Sequence, residues 1–404
     1  MGTLDRSPAA QAPARLFLGD DDWWAPLPIL GELTAQLMDR GYPRTEVMPL
    51  PGTIADACLD PVNAARALHG RSNLFQPSAA ARLLVSAPGV RDHTLVALQR
   101  LWLLGRPLEW ARVCRLLGAR LAVGLLEAEV LQPTAGDAVR ATIVVAPHGG
   151  RLFVADSVRL QDHPEYCYLG RSTFTVAEFL RAQGSWLRPA GEGGRLLDLA
   201  CGAGAGAITC ADGFSEVVGT DIVERCLRFA RLNAALNGVE VDFHYSDVLS
   251  GVEGSFDMVI ANTPCVWDDA EPAAPRTYAG GGSDFGLELP GRMIAGALER
   301  LRPGGAVLAI ISAPVLGRRH YALDALERIC ANRPARVTLE PLLEEYELRN
   351  RQLYRRHGVS TIVRYLAVLR ADTRFSATIG RGDRARLAGY RARTLPARVI
   401  GRLT

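Results

Sequence analysis

Between residues 196 and 312, short apolar runs alternate with stretches whose apolar positions recur every three or four residues. Residues 196–200, 216–221, 241–245, 258–261 and 306–312 read as strands, while the segment running to Cys210, 225–237 and 291–301 read as helices. That alternation predicts a parallel sheet wound on both faces by helices. The unbroken apolar run 307–311 suits a strand covered on both sides. Upstream, the periodicity predicts a helix over about 29–38, opened by Pro28, then helices over 79–86, 93–104, 108–117 and around 122–129. Strand-like runs at 141–146 and 151–155 follow, separated by the turn sequence Pro147-His148-Gly149-Gly150. Residues 184–194 are rich in glycine and read as a linker, and a final strand pair is expected around 359–369.

Composition narrows the chemistry. The 404 residues carry a net charge of +3, which neither demands nor excludes a nucleic-acid partner. All 46 basic residues are arginine. Without lysine there is no Schiff-base chemistry and no phosphate-cradling P-loop lysine. The 8 cysteines are scattered, with no C-x-x-C pair and no metal-ligand spacing, so reduced thiols in a cytoplasmic protein and no metal are expected. No signal peptide, membrane span or membrane partner is expected either.

The most informative segment is Leu196-Leu197-Asp198-Leu199-Ala200-Cys201-Gly202-Ala203-Gly204-Ala205-Gly206. A buried strand runs into glycines that let the backbone turn sharply and approach a ligand, and a helix follows. With Asp221 nineteen residues after Gly202, the pattern also fits a dinucleotide fingerprint, so a nicotinamide or flavin enzyme is the competing reading. Three features together resemble the class I S-adenosylmethionine-dependent methyltransferases: Asp198 ahead of the glycine loop, Asp221 ending the second strand, and Asp247 in Tyr245-Ser246-Asp247-Val248 after the third. The resemblance implies a cofactor set of Asp198, Ala200, Gly202, Gly204, Asp221, Ile222, Asp247, Val248 and Asn262, with S-adenosyl-L-methionine as cofactor.

Phe256-Asp257-Met258-Val259-Ile260-Ala261-Asn262-Thr263-Pro264-Cys265 resembles the F-D-x-I-x-x-N-P-P-Y/F segment of the methyltransferase small domain and release-factor glutamine methyltransferase group. There the asparagine and the following carbonyl accept from a planar NH2 and aim its nitrogen at the methyl donor. The resemblance therefore implies Asn262, Thr263 and Pro264 as the catalytic set. This chain has Thr263 for the first proline and Cys265 for the stacking aromatic; Trp267 is the candidate replacement, or else packs in the loop. Tyr278, at the head of a glycine-rich loop, joins Cys265, Trp267, Arg171 and Thr173 as candidate acceptor contacts, and an L-x-P-G-G turn is expected at Arg302-Pro303-Gly304-Gly305. His148 and His163 are read as turn or surface histidines.

The expected architecture is α/β: a Rossmann-like doubly wound, mostly parallel seven-stranded sheet, preceded by a mainly helical winged-helix-like N-terminal domain. Its boundaries are a flexible tail at 1–15, the N-terminal domain at 16–165, a bridge and linker at 166–193, the methyltransferase domain at 194–370 and an arginine-rich extension at 371–404. The whole order resembles a group of mostly actinobacterial methyltransferases. The altered Asn262-Thr263-Pro264-Cys265 motif points to methylation of a nitrogen, with an oxygen as the lesser alternative, on a small specialised metabolite. Methylation of RNA or of a protein, glutamine-type, with the N-terminal domain as docking unit, is the alternative, and a non-enzymatic cofactor-binding regulator the third. A homodimer through the N-terminal helices is compatible with the pattern.

Overall fold

The computed structural model describes residues 24–45, 93–160, 163–182, 193–267, 277–345 and 351–380. The tail at 1–15, the helix expected over 79–86 and most of the linker lie outside the described residues, as does the extension beyond 380.

The main sheet is built from β6 (Arg195–Leu199), β7 (Glu216–Asp221), β8 (Asp242–Tyr245), β9 (Phe256–Asn262), β10 (Leu301–Leu316), β12 (Ala335–Glu345) and β13 (Val359–Ala371). These seven lie in the order β12-β13-β10-β9-β6-β7-β8, and β14 (Ser376–Ile379) beside β12 and β11 (Arg319–His320) against β10 bring the sheet to nine strands. Neighbours from β8 through β10 run parallel, and β13 is antiparallel to both β10 and β12. This is a mixed, mostly parallel α/β sheet. The connections carry α6 (Ala205–Cys210), α7 (Glu224–Asn237), α8 (Glu288–Glu299) and α9 (Tyr321–Ile329); α10 (Arg351–Arg356) precedes β13.

Successive strand residues point to opposite faces, and the apolar runs sort accordingly. Met258, Ile260, Leu308 and Ile310 enter one apolar cluster, while Val259, Ala261, Val307, Ala309 and Ile311 enter another. The second cluster is closed by α8 and α9, through Met293, Ile294, Ala322 and Leu326. The first continues without a break into the N-terminal region, through Leu33, Trp102, Val145 and Phe174.

That region contains α1 (Leu27–Asp39), α2 (His93–Trp102), β1 (Leu108–Glu109), α3 (Trp110–Leu117), α4 (Ala119–Glu127), β2 (Leu131–Thr134), β3 (Ala138–Ala141), β4 (Ile143–His148), β5 (Arg151–Asp156) and α5 (Arg171–Ala182). The helix expected from residue 108 begins two residues later because Leu108 and Glu109 pair with Val139 and Ala138. β4 and β5 form the hairpin expected around Gly149-Gly150. The turn expected at residues 302–305 lies within β10, where register against β9 shifts between Leu301 and Ala306 and Gly304 takes φ +83°.

The hairpin is clasped to α7 by buried polar groups. Asn233 Oδ1 accepts from Val154 N–H at 2.7 Å, and its Nδ2 donates to the carbonyls of Val154 and Ala203. Arg225 Nη2 donates to Asp156 Oδ1 at 2.5 Å and Nε to Oδ2 at 3.1 Å, both side chains being shut off from solvent. Burial raises the Asp156 pKa, opposed by Arg225 and by the Cys167 N–H. Removing one member of such a pair strands the other charge. Arg225→Ala is therefore expected to lower unfolding stability by about 3–5 kcal/mol, measured by urea denaturation.

Candidate active site

The carboxyl ends of β6, β7 and β9 and the turn after β8 converge on one side of the sheet. β6 passes into a loop in which Ala200 (φ +54°), Gly202 (φ +54°) and Gly204 (φ +74°) are all left-handed. Two glycines here are fixed by what surrounds them. A Cβ on Gly204 would lie 2.9 Å from Ala230 and Phe243, and one on Gly206 would lie 2.6 Å from the Asp198 carboxylate.

Asp198 sits beneath this loop, 4% exposed, with Oδ2 accepting from Ala207 N–H at 2.8 Å. Burial pushes its pKa up to about 7, countered by the Ala207 N–H and reinforced by the charge of Asp221. Asp221 ends β7 and ties the loop to the next turn: Oδ2 accepts from Gly202 N–H and Oδ1 from Val223 N–H, each at 2.9 Å. Its pKa is raised by burial against those N–H groups. The adjoining Ile222 is 45% exposed. Asp247, beyond β8, is exposed and 3.8 Å from the Arg292 guanidinium, and Val248 beside it takes φ +55°.

At the end of β9 the residues alternate. Asn262, Pro264 and Val266 are half-buried, whereas Thr263, Cys265 and Trp267 are buried. Asn262 Nδ2 donates to Thr173 Oγ1 on α5 at 3.3 Å. Among the described residues its Oδ1 accepts no hydrogen bond. Thr263 Oγ1 donates to the Ile310 carbonyl at 2.5 Å, and Cys265 Sγ to Ser312 Oγ at 3.4 Å, so both pin the segment to β10. Trp267 packs with Phe285, Tyr354 and His357. Its ring completes a separate apolar cluster with Tyr354 and Val359, the packing role that was the other expectation for it.

Tyr278 lies against Tyr166 and Tyr168, neither of which was among the candidate site residues. Arg171 opens α5, and its side chain is outside the described residues. His148 stacks on Phe174, and His163 accepts from Glu165 N–H. Among the described residues no group of three His, Cys, Asp or Glu side chains is arranged to hold a metal ion. Nor is any helix there long and apolar enough to cross a membrane.

Residues 185–329 match the model of the methyltransferase small domain family. This segment is a class I S-adenosylmethionine-dependent methyltransferase domain. The methyltransferase domain is 35% identical over 125 residues to the release factor glutamine methyltransferase of Deinococcus radiodurans, covering 28% of this chain and 44% of that protein. It is 31% identical over 127 residues to a putative protein N5-glutamine methyltransferase of Methanocaldococcus jannaschii, covering 31% of this chain and 64% of that protein. A ribosomal RNA small subunit methyltransferase C of Shigella flexneri shares 30% identity over 122 residues, 30% of this chain and 32% of that protein. The chain thus spans less than two thirds of each relative's length.

The raised pKa of Asp198 sets a pH dependence. Its native form holds a proton that the unfolded chain releases near the ordinary 3.8, so its contribution is complete at acid pH and is lost as pH rises through about 7. Asp198→Asn is expected to flatten the decline in Tm across that window, as followed by scanning calorimetry.

Proposed function

We propose that the chain is an S-adenosylmethionine-dependent N-methyltransferase acting on a planar NH2 of a macromolecule, a glutamine-type side-chain amide being the first reading. The carrying observation is Asn262: its amide NH2 is engaged by Thr173, leaving Oδ1 to accept from an incoming N–H. An amide or aromatic NH2 held by that oxygen presents its nitrogen in one direction. Orientation of this kind, in a site shielded from water, is the main task of such an enzyme.

The site fits the cofactor. Asp221 retains lone pairs beyond those used by Gly202 and Val223, in the position for ribose hydroxyls. Exposed Ile222 offers an apolar face that would suit a flat base, and Asp247 and Val248, in the turn after β8, are the other residues that would hold it. The left-handed loop at Gly202 and Gly204 would lie along the methionine portion. Asp198 supports that loop from below. S-adenosylmethionine, when bound, supplies an electrophilic methyl group on a sulfonium sulfur. Thr263 holds the Asn262 segment in place through its bond to the Ile310 carbonyl.

The inward position of Thr263 and Cys265 bears on the acceptor. Their departure from the motif secures the segment to β10 and gives no reason to favour a small metabolite. The named activities of the relatives, on release factors, proteins and ribosomal RNA, support a macromolecular acceptor, with an exocyclic amine of RNA as second reading. The test is transfer of tritiated methyl from S-adenosylmethionine to separated protein, RNA and metabolite fractions of cell extract. Label in protein supports the first reading, label in RNA the second, and label in metabolites alone overturns both. Asn262→Ala is expected to lower kcat about 100-fold while calorimetry still detects S-adenosylmethionine binding.

A further inference from the structure

A segment that belongs to no long element crosses the site before α5. It is fixed at one end by Cys167, whose N–H donates to Asp156 Oδ2 at 2.9 Å. It is fixed at the other by Thr173, whose N–H donates to the Gly170 carbonyl and whose hydroxyl meets Asn262. Between these anchors the Tyr168 ring folds back over Gly170: a Cβ there would lie 1.8 Å from Tyr168 Oη and 2.2 Å from Cζ. Gly170 has no left-handed backbone to explain it, so the ring is what excludes a side chain.

The Tyr168 ring stacks on Tyr278 with centroids 5.6 Å apart and planes 10° from parallel. Tyr166 meets Tyr278 edge-on at 5.0 Å. Tyr278 is itself tied to the Asn262 segment: Val266 N–H donates to the Ala279 carbonyl, and Gly281 N–H to the Val266 carbonyl, each at 2.8 Å. On the cofactor side, the Tyr168 carbonyl is 3.5 Å from where a Cβ of Gly202 would sit. The backbone next to Tyr278 is thus tied to Val266, the backbone of Tyr168 lies against Gly202, and both rings are half-buried.

We infer that Tyr278, backed by Tyr168, is the face on which the flat NH2-bearing group of the acceptor lies, supplying the stacking that Cys265 does not. This rests on the N-methyltransferase reading. Tyr278 touches the acceptor; Tyr168 and Gly170 are positioning residues that keep the Tyr278 ring in one plane. Parallel rings of this width suit a conjugated group and offer nothing to an aliphatic amine or alcohol.

The probe is 2-aminopurine riboside, a flat aromatic amine whose fluorescence falls on stacking, titrated into the full chain saturated with S-adenosylhomocysteine to fill the cofactor site. Quenching is expected, weakened about tenfold by Tyr278→Ala or Tyr168→Ala, in line with the loss of one stacked base. Tyr278→Phe is expected to restore it. Gly170→Ala, which displaces the Tyr168 ring, is expected to act like Tyr168→Ala. With the labelled fraction as substrate, Tyr278→Ala and Tyr168→Ala are expected to raise KM with little change in kcat, a split that general destabilisation does not produce. Tm and S-adenosylhomocysteine calorimetry verify that each variant is folded. Equal quenching by folded Tyr278→Ala, or an unchanged KM of that variant for the labelled fraction, overturns the platform. Failure to methylate any fraction despite S-adenosylmethionine binding overturns the N-methyltransferase reading instead.

Discussion

The Asp156–Arg225 pair connects parts of the molecule that are far apart in the chain. Asp156 ends the β5 hairpin strand, Arg225 opens α7, and Cys167 starts the segment leading to Tyr168; all three meet at one carboxylate. A carboxylate with no access to water requires donors on both oxygens, and here they come from a side chain and a backbone. The same contact holds the hairpin on α7 and sets where the tyrosine segment begins. Asn233 repeats the principle about two helical turns along α7, satisfying both backbone groups of Val154 with a single amide.

A second constraint is the two-residue period of the strands. It divides the sheet's apolar residues between two clusters, and it carries on past the end of β9. Asn262 shares the face of Met258 and Ile260, toward α5, which is why its amide reaches Thr173. Thr263 and Cys265 turn the other way and bond to β10. One register thus decides which side chains stand in the site and which brace it.

The glycine loop was legible in the sequence because its signals are local: Gly202 and Gly204 take left-handed backbone after β6, and Asp221 ends β7. Other features depend on contacts across long sequence separations. β12 was not foreseen: its outer half, Glu340 and Pro341 followed by further acidic residues, lacks the apolar run of a central strand, and a register shift at Pro341 accommodates the proline. β14 is a four-residue strand, too short to read as one by itself, that pairs with the edge of β12. The inward turn of Trp267 depends on Tyr354 and Val359, which lie far along the chain, beyond β12. The spaced tyrosines at 166 and 168 were visible, but nothing in their neighbourhood said that they would meet Tyr278.

The continuous cluster through α1, the hairpin and α5 has a consequence for modularity. A chain beginning at Arg195 would hold all the cofactor carboxylates, yet one entire face of its sheet, including Met258, Ile260, Leu308 and Ile310, would lose much of its cover. Exposed apolar area on that scale is an aggregation surface rather than a folded boundary. The stretch shared with distant relatives is thus not a self-sufficient folding unit in this protein: the region before it supplies much of the apolar cluster on this face.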